Sequence, residues 1–237
     1  MPNKHVQLPL GIRLRDDASF ENFHAGANQE VVGGLAACLD RSGPGYLYLW
    51  GGAGCGKTHL LSALCHAAAD AGLPLMYLPL SEHATFAPEI LHGMETLRLV
   101  CLDDIEAIAG LPQWEEALFH FYNRLQAAGG CLVITGETAP AGLDIRLPDL
   151  KSRLCAGIIY HLKPLDDADK LAALRQRAAQ RGMEMPLEVG AYLLRRCPRD
   201  MNALFALLDR LDHASLAAQR RLTVPFVREV LSDQGSP

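Results

Sequence analysis

The sequence predicts an α/β protein, a parallel five-stranded sheet between helices, followed by a small all-helical unit. Two patterns predict it, and a third places a site upon it. Five short apolar runs alternate with amphipathic stretches: YLYLW (46–50), LMYLP (75–79), LVCLD (99–103), CLVIT (131–135) and IIYHL (158–162). Strands covered on both faces need near-continuous apolar runs, and strand–helix alternation winds a parallel sheet. Beyond Pro164 no such run is left, and apolar residues fall at helical spacing. Directly after the first run lies GGAGCGKT (51–58), a glycine-rich loop ending in Lys-Thr.

In chain order, residues 1–18 read as a flexible arm, polar and containing Pro2 and Pro9. The α/β core is expected over 19–164, with helices at 56–70 and 114–129. The helical unit is expected over 165–237. There Asp166 caps a helix carrying Leu171 and Leu174, and Pro186 opens another that ends near Arg196. Asp200 begins MNALFALLDRLDHASLAAQRR, and Pro225 starts FVREVL. Internal repeats and low-complexity segments are absent.

The 237 residues are 49% hydrophobic and 21% charged, with a formal net charge of −5, an ordinary globular balance. A protein that holds duplex DNA by its phosphates is normally basic, so little direct DNA binding is expected. Seven cysteines (38, 55, 65, 101, 131, 155, 197) are scattered without a C-x-x-C pair. The nine histidines show no metal-ligand spacing such as H-E-x-x-H. The cysteines therefore read as reduced core residues of a cytosolic protein. The N-terminus is too poor in apolar residues for a signal peptide, and no stretch approaches the roughly 18 apolar residues of a membrane span. A soluble, cytoplasmic protein without membrane contact is expected.

The pattern G-x-x-x-x-G-K-[ST] is complete in Gly51, Gly56, Lys57 and Thr58, with Gly52, Ala53, Gly54 and Cys55 between and His59 following. Glycines let backbone N–H groups form a nest for phosphate oxygens, and the helix that follows adds its positive end. Lys57 is expected on the β- and γ-phosphates, and the Thr58 hydroxyl on Mg²⁺. A tight turn is the alternative; the full pattern in a strand–loop–helix context outweighs it. In LRLVCLDDIEAIAG (97–110), Asp103 and Asp104 sit at the carboxyl end of a strand, where ligands bind in open sheets. Asp103 is expected to hold Mg²⁺ and Asp104 to orient water. A pair that merely caps the next helix is the competing reading.

Several segments carry a family resemblance: SFENFHAGANQEVV (19–32), GGAGCGKTHLLSAL (51–64), CLDDIEAIAG (101–110), LVITGE (132–137) and LPDLKSRL (147–154). In that order they resemble the AAA+ P-loop NTPase domain of the bacterial replication initiator DnaA, from about 19 to 232. The chain stops where DnaA continues into a helix-turn-helix domain, and it begins with a short arm containing QLPL. WEEALFHFYNRL, LPDLKSRL and LTVPFVREVL are similar to the Hda family of DnaA-homologous regulators. That resemblance implies a regulator of replication initiation, at the nucleoid or replisome, that binds ADP or ATP with Mg²⁺. It would bind the DNA-loaded sliding clamp (the β subunit of DNA polymerase III) and stimulate hydrolysis of DnaA-bound ATP in trans, preventing re-initiation. Intrinsic ATPase activity would be weak beside that role. AAA+ subunits commonly pack edge to edge, so the resemblance also admits a homodimer.

Residue by residue, the resemblance assigns Gln7, Leu8 and Leu10 to a clamp-binding peptide. Gly11 stands where an aromatic is usual, so Ile12 or Leu10 must fill that pocket. Arg153, in LPDLKSRL, becomes an arginine finger that reaches the ATP of a neighbouring molecule; binding a carbonyl or carboxylate at its own helix end is the alternative. Two positions depart from the pattern. Asn202 occupies the place of the lid sensor arginine, with Arg199 three residues earlier as a stand-in, and Glu137 replaces the strand-end sensor aspartate. Both changes weaken hydrolysis more than binding. Phe20 and Phe23 border the base or belong to the core; His24, His59 and Trp114 read as packing residues. A helicase-loader-type AAA+ ATPase acting on a replicative helicase is the main rival. A DNA-binding initiator fragment and a small-molecule P-loop kinase explain fewer segments.

Overall fold

The computed structural model describes residues 18–198 and 200–232. These pack as two units. The first comprises residues 18–20, Glu30–Gly52 and Gly56–Leu162; the second comprises Glu21–Gln29, Ala53–Cys55 and residues 163–232. The arm peptide Gln7, Leu8, Leu10 and Ile12, and also Arg199, lie outside the described residues.

In the first unit, five strands form one parallel sheet in the order β2-β3-β4-β1-β5. They are β1 (Tyr46–Trp50), β2 (Leu75–Pro79), β3 (Leu99–Asp103), β4 (Cys131–Gly136) and β5 (Ile158–His161). Each lies within a residue of an apolar run in the sequence. Helices α1 (Gln29–Ala37), α2 (Lys57–Asp70), α3 (Pro112–Ala127) and α4 (Pro148–Cys155) accompany them. β1, β3 and β4 are almost wholly buried, as runs covered on both faces must be. β5 departs from that expectation: Ile158 is 44% and Ile159 38% exposed. With β1 as its one neighbour, β5 is an edge strand, and its apolar run covers only part of itself.

Tyr46, Tyr48, Phe121, Leu125, Ile134, Leu150 and Leu154 share the main core with strand residues of β2 and β3. The Tyr46 hydroxyl reaches that core through a bond to the Leu154 carbonyl at 3.1 Å, and its ring meets Tyr122 edge-on at 5.2 Å. Phe121 is wholly buried there. Phe121→Ala is therefore expected to cost about 3–5 kcal/mol, read as a lowered urea midpoint at unchanged slope. A change under about 1 kcal/mol would mean that this core collapses around the void.

The second unit holds α5 (Asp167–Gln180), α6 (Leu187–Arg196), α7 (Met201–Ala218) and α8 (Val224–Ser232). Asp166 and Asp200 cap α5 and α7, accepting from the Asp169 and Ala203 amides at 2.8 Å. Pro186 takes the N-cap position of α6, one residue before its first turn. Leu174, Val189, Leu193, Leu204, Leu208 and Val227 form a separate core. The segment 21–29 joins this unit by polar contacts. Buried Asn28 donates to the Lys163 carbonyl at 3.0 Å and accepts from the Lys163 amide at 2.8 Å, pairing with backbone as a strand would. His24 lies 3.0 Å from Asp169. Of the seven free cysteines, Cys38, Cys65, Cys101 and Cys131 are buried as expected; Cys55 and Cys197 are half-buried and Cys155 is exposed. No described helix is long and apolar enough to cross a membrane.

Candidate functional site

Parallel pairing brings the carboxyl ends of β1, β3 and β4 to one edge of the sheet, and the loop residues and both aspartates lie there. The Gly51 amide bonds the Gly136 carbonyl at 3.2 Å, so the loop starts tied to the end of β4. Gly54 (φ 74°) and Gly56 (φ 104°) take left-handed conformations that an L side chain adopts only under strain. A Cβ on Gly54 would also lie 2.1 Å from Asp200 Oδ1 and 3.7 Å from Asn202 Nδ2. Asn202 thus stands beside the loop tip, and a neutral amide is what it offers. Gly56 is the N-cap of α2 and supplies no side chain, which leaves the first-turn N–H groups free of a capping side chain. Lys57, 7% exposed, donates to the Gly51 carbonyl at 2.8 Å and the Gly52 carbonyl at 3.4 Å. His59 is buried against the Ser19 carbonyl at 3.2 Å, on the side of α2 that holds residues 18–20.

Asp103 is 1% exposed. Thr135 donates its hydroxyl to Oδ1, and the Tyr77 hydroxyl donates to Oδ2 at 2.9 Å. Thr135 also accepts the Asp104 N–H at 3.1 Å. Asp104 occupies a left-handed position (φ 59°) at the start of the short 3-10 turn Ile105–Ile108, and its side chain makes no capping bond. The helix-capping reading of the pair is therefore unsupported, and the Asp104 carboxylate remains available. Burial, with Asp103 and Glu106 adding negative charge, pushes the Asp104 carboxyl from 3.8 up to about 6; Lys57 pulls the other way and Glu137 adds a further rise. Glu137 is exposed, its amide bonded to Glu106 Oε2 at 3.2 Å.

A group whose folded-state pKa is raised binds its proton more tightly when folded. Its ionisation therefore removes stability as pH rises from about 4 to about 6. Asp104→Asn is expected to match wild-type stability at about pH 4 and to exceed it above about pH 6, measured by urea unfolding at each pH. Parallel curves at all pH values would show that Asp104 titrates normally.

Among the described residues no group of three or more His, Cys, Asp and Glu could hold a metal ion. Magnesium at a phosphate site does not require one. It takes one or two protein oxygens, with phosphate and water supplying the rest. Asp103, oriented by two hydroxyl donors, and Thr58 on the first turn of α2 fit that donor set, and the glycine nest with buried Lys57 fits a di- or triphosphate.

Arg153 lies on the last turn of α4, exposed, and among the described residues its guanidinium makes no ion pair or hydrogen bond. It does not serve its own helix end. Phe20, Phe23 and His24 are half-buried, and Trp114 is a core residue at 5% exposure. Sequence reasoning missed Thr135 and Tyr77. Both were legible as polar groups at or near the carboxyl ends of apolar runs, but their partner is defined only by sheet order.

Residues 14–161 match the model of the bacterial DnaA ATPase domain, and residues 167–231 match the lid domain of Hda. The chain belongs to the bacterial DnaA ATPase-domain family. Domain III of the Thermotoga maritima replication initiation protein DnaA superposes with a TM-score of 0.79 at 21% identity, over 95% of this chain and 100% of that one. AMPPCP-bound DnaA from Aquifex aeolicus gives 0.72 at 23% identity, over 84% of this chain and 67% of that one. The Thermotoga maritima RuvB Holliday junction branch migration motor gives 0.65 at 18% identity, over 86% of this chain and 68% of that one. The DnaA family thus accounts for the parallel sheet with its phosphate loop, and the AAA+ fold extends through the helical unit.

Proposed function

We propose that this DnaA-family chain regulates chromosomal replication initiation: it binds ADP or ATP with Mg²⁺ and stimulates hydrolysis of DnaA-bound ATP in trans. The observation that carries the reading is Arg153. A glycine loop with buried Lys57 and a strand-end acidic pair is combined with an exposed arginine that has no hydrogen bond or ion pair among the described residues. A planar guanidinium held outward on a helix end suits charge developing on a neighbour's transferred phosphoryl group. Within the chain, the loop amides and Lys57 would bind the phosphates. Asp103 and Thr58 would hold Mg²⁺, which neutralises phosphate charge, and Asp104 would orient an attacking water, with Glu137 in the place of the strand-end sensor. Nucleotide binding by AMPPCP-bound DnaA supports the adenine assignment.

The sliding clamp is proposed as second partner through Gln7, Leu8, Leu10 and Ile12. A short peptide with one polar anchor and apolar plugs docks in a groove at low ordering cost. The site of action is then the bacterial cytoplasm, on DNA that carries the clamp.

The test mixes the chain with ATP-loaded DnaA, DNA-loaded clamp and ADP, and follows phosphate release. Stimulation that needs the clamp and is lost with Gln7→Ala supports the reading. Hydrolysis of ATP by the chain alone, without stimulation of DnaA, would overturn it in favour of a helicase-loader-type ATPase.

A further inference from the structure

Glu115 is a buried charge that neither the phosphate loop nor the acidic pair uses. It stands on the first turn of α3, 1% exposed, and no lysine or arginine pairs with it among the described residues. Backbone amides satisfy it instead. Oε1 accepts from the Gly110 N–H at 2.7 Å and from the Arg146 N–H at 3.2 Å; Oε2 accepts from Arg146 at 3.0 Å and from Leu147 at 2.8 Å. A carboxylate removed from water without a cation is tolerated only when such donors replace its hydration.

The donors come from two functionally distinct segments. Gly110 lies just beyond the turn Ile105–Ile108, whose first link is Asp104. Arg146 and Leu147 directly precede Pro148, where α4 starts; Leu147 is its N-cap and offers no capping side chain. One side chain therefore joins the segment leaving the acidic pair to the root of the helix that carries Arg153. α4 is only eight residues long, so its N-terminal attachment, together with the core packing of Leu150 and Leu154 and the Tyr46–Leu154 bond, sets where its last turn points. Lys151, on α4 itself, adds a bond at 2.8 Å to the Leu143 carbonyl of the preceding loop. Bonds of this length and directionality do not stretch by an ångström: a shift at Gly110 either breaks them or is followed at 146–147.

We propose that Glu115 is a positioning residue that couples this chain's nucleotide site to the orientation of Arg153, an inference that rests on Arg153 acting in trans as proposed above. With nucleotide and Mg²⁺ bound, Asp104 would answer their charge; the 105–110 segment that begins at Asp104 would adjust, and Glu115 would pass the adjustment to the start of α4. The chain's own nucleotide then sets whether the arginine is presented productively.

The experiment uses Glu115→Gln in the full chain, which keeps shape but removes the charge and one acceptor oxygen. In the DnaA assay the maximal rate is expected to fall up to about 100-fold, the scale of an ångström misplacement. The chain concentration giving half-maximal rate and its ADP affinity stay within about twofold. Because the effect runs through the arginine, Arg153→Ala in the Glu115→Gln background lowers the rate far less than it does alone. An unchanged maximal rate, or a full Arg153→Ala effect in both backgrounds, overturns the proposal. A second arm needs no partner: amide exchange at Gly110, Arg146 and Leu147 with and without ADP. Protection that rises with ADP in wild type and not in the variant supports the coupling, and no ADP response in wild type overturns it. If wild type fails to stimulate DnaA, the exchange arm alone decides the coupling and the function reading fails separately. Should Glu115→Gln not fold, Glu115→Asp, which keeps the charge but withdraws it by one methylene, is read the same way.

Discussion

Arg153→Ala is expected to lower the stimulated rate of DnaA-bound ATP hydrolysis by about 10³-fold or more, roughly 4 kcal/mol of transition-state stabilisation. The chain's own affinity for ADP is expected to stay within about twofold, because Arg153 stands on α4, outside the loop and the acidic pair. The guanidinium has no hydrogen bond or ion pair in its own chain among the described residues, so its removal leaves no buried group orphaned. Fold stability should therefore change by less than about 0.5 kcal/mol, as for other surface substitutions. Arg153→Lys should recover little of the lost rate, since an ammonium lacks the paired donors of the planar fork. Single-turnover hydrolysis at saturating chain separates this loss from one of binding. A variant that stimulates as wild type does would remove Arg153 from the mechanism.

Lys57→Ala is the second large effect, and it falls on this chain's own nucleotide. Lys57 is 7% exposed, and its ammonium bonds the Gly51 carbonyl at 2.8 Å at the mouth of the loop. In the proposed site, the loop amides, the α2 terminus and Mg²⁺ would remain to hold the phosphates in the variant. Charge-assisted bonds contribute about 1.5–3 kcal/mol each. Losing one or two should weaken ADP binding by about 100-fold in a titration calorimeter. Gly54→Ala should fail more broadly, since it adds a Cβ at positive φ that collides with Asp200. Wild-type ADP affinity in Lys57→Ala would exclude the loop as the phosphate site.

The strands were legible because each apolar run is short, bounded and separated by a helix-period stretch. All five lie within a residue of their predicted limits. The caps Asp166 and Asp200 were legible for the same local reason: a short polar side chain before an apolar periodic run can satisfy a free N–H. The exposure of β5 was not legible, because IIYHL reads like a central strand and only strand order makes it an edge. Asn28 escaped notice as well. Its bonds to Lys163 span 135 residues, and nothing near it in sequence marks a pairing partner.

The phosphate loop, the acidic pair at a strand end and the existence of a helical second unit were determined by the sequence alone. Each depends on residues within a few positions of one another, where spacing dictates backbone geometry. Only tertiary structure decided what surrounds them. Thr135 and Tyr77 meet on Asp103 because β4 and β2 flank β3. Glu115 gathers amides from 110, 146 and 147 because the loops flanking α3 and α4 converge. The pKa of Asp104 rises through burial and through the charges of Asp103 and Glu106. The two charges are chain neighbours and could be read in the sequence; the burial could not. Desolvation is a property of the packed neighbourhood, and no single segment carries it.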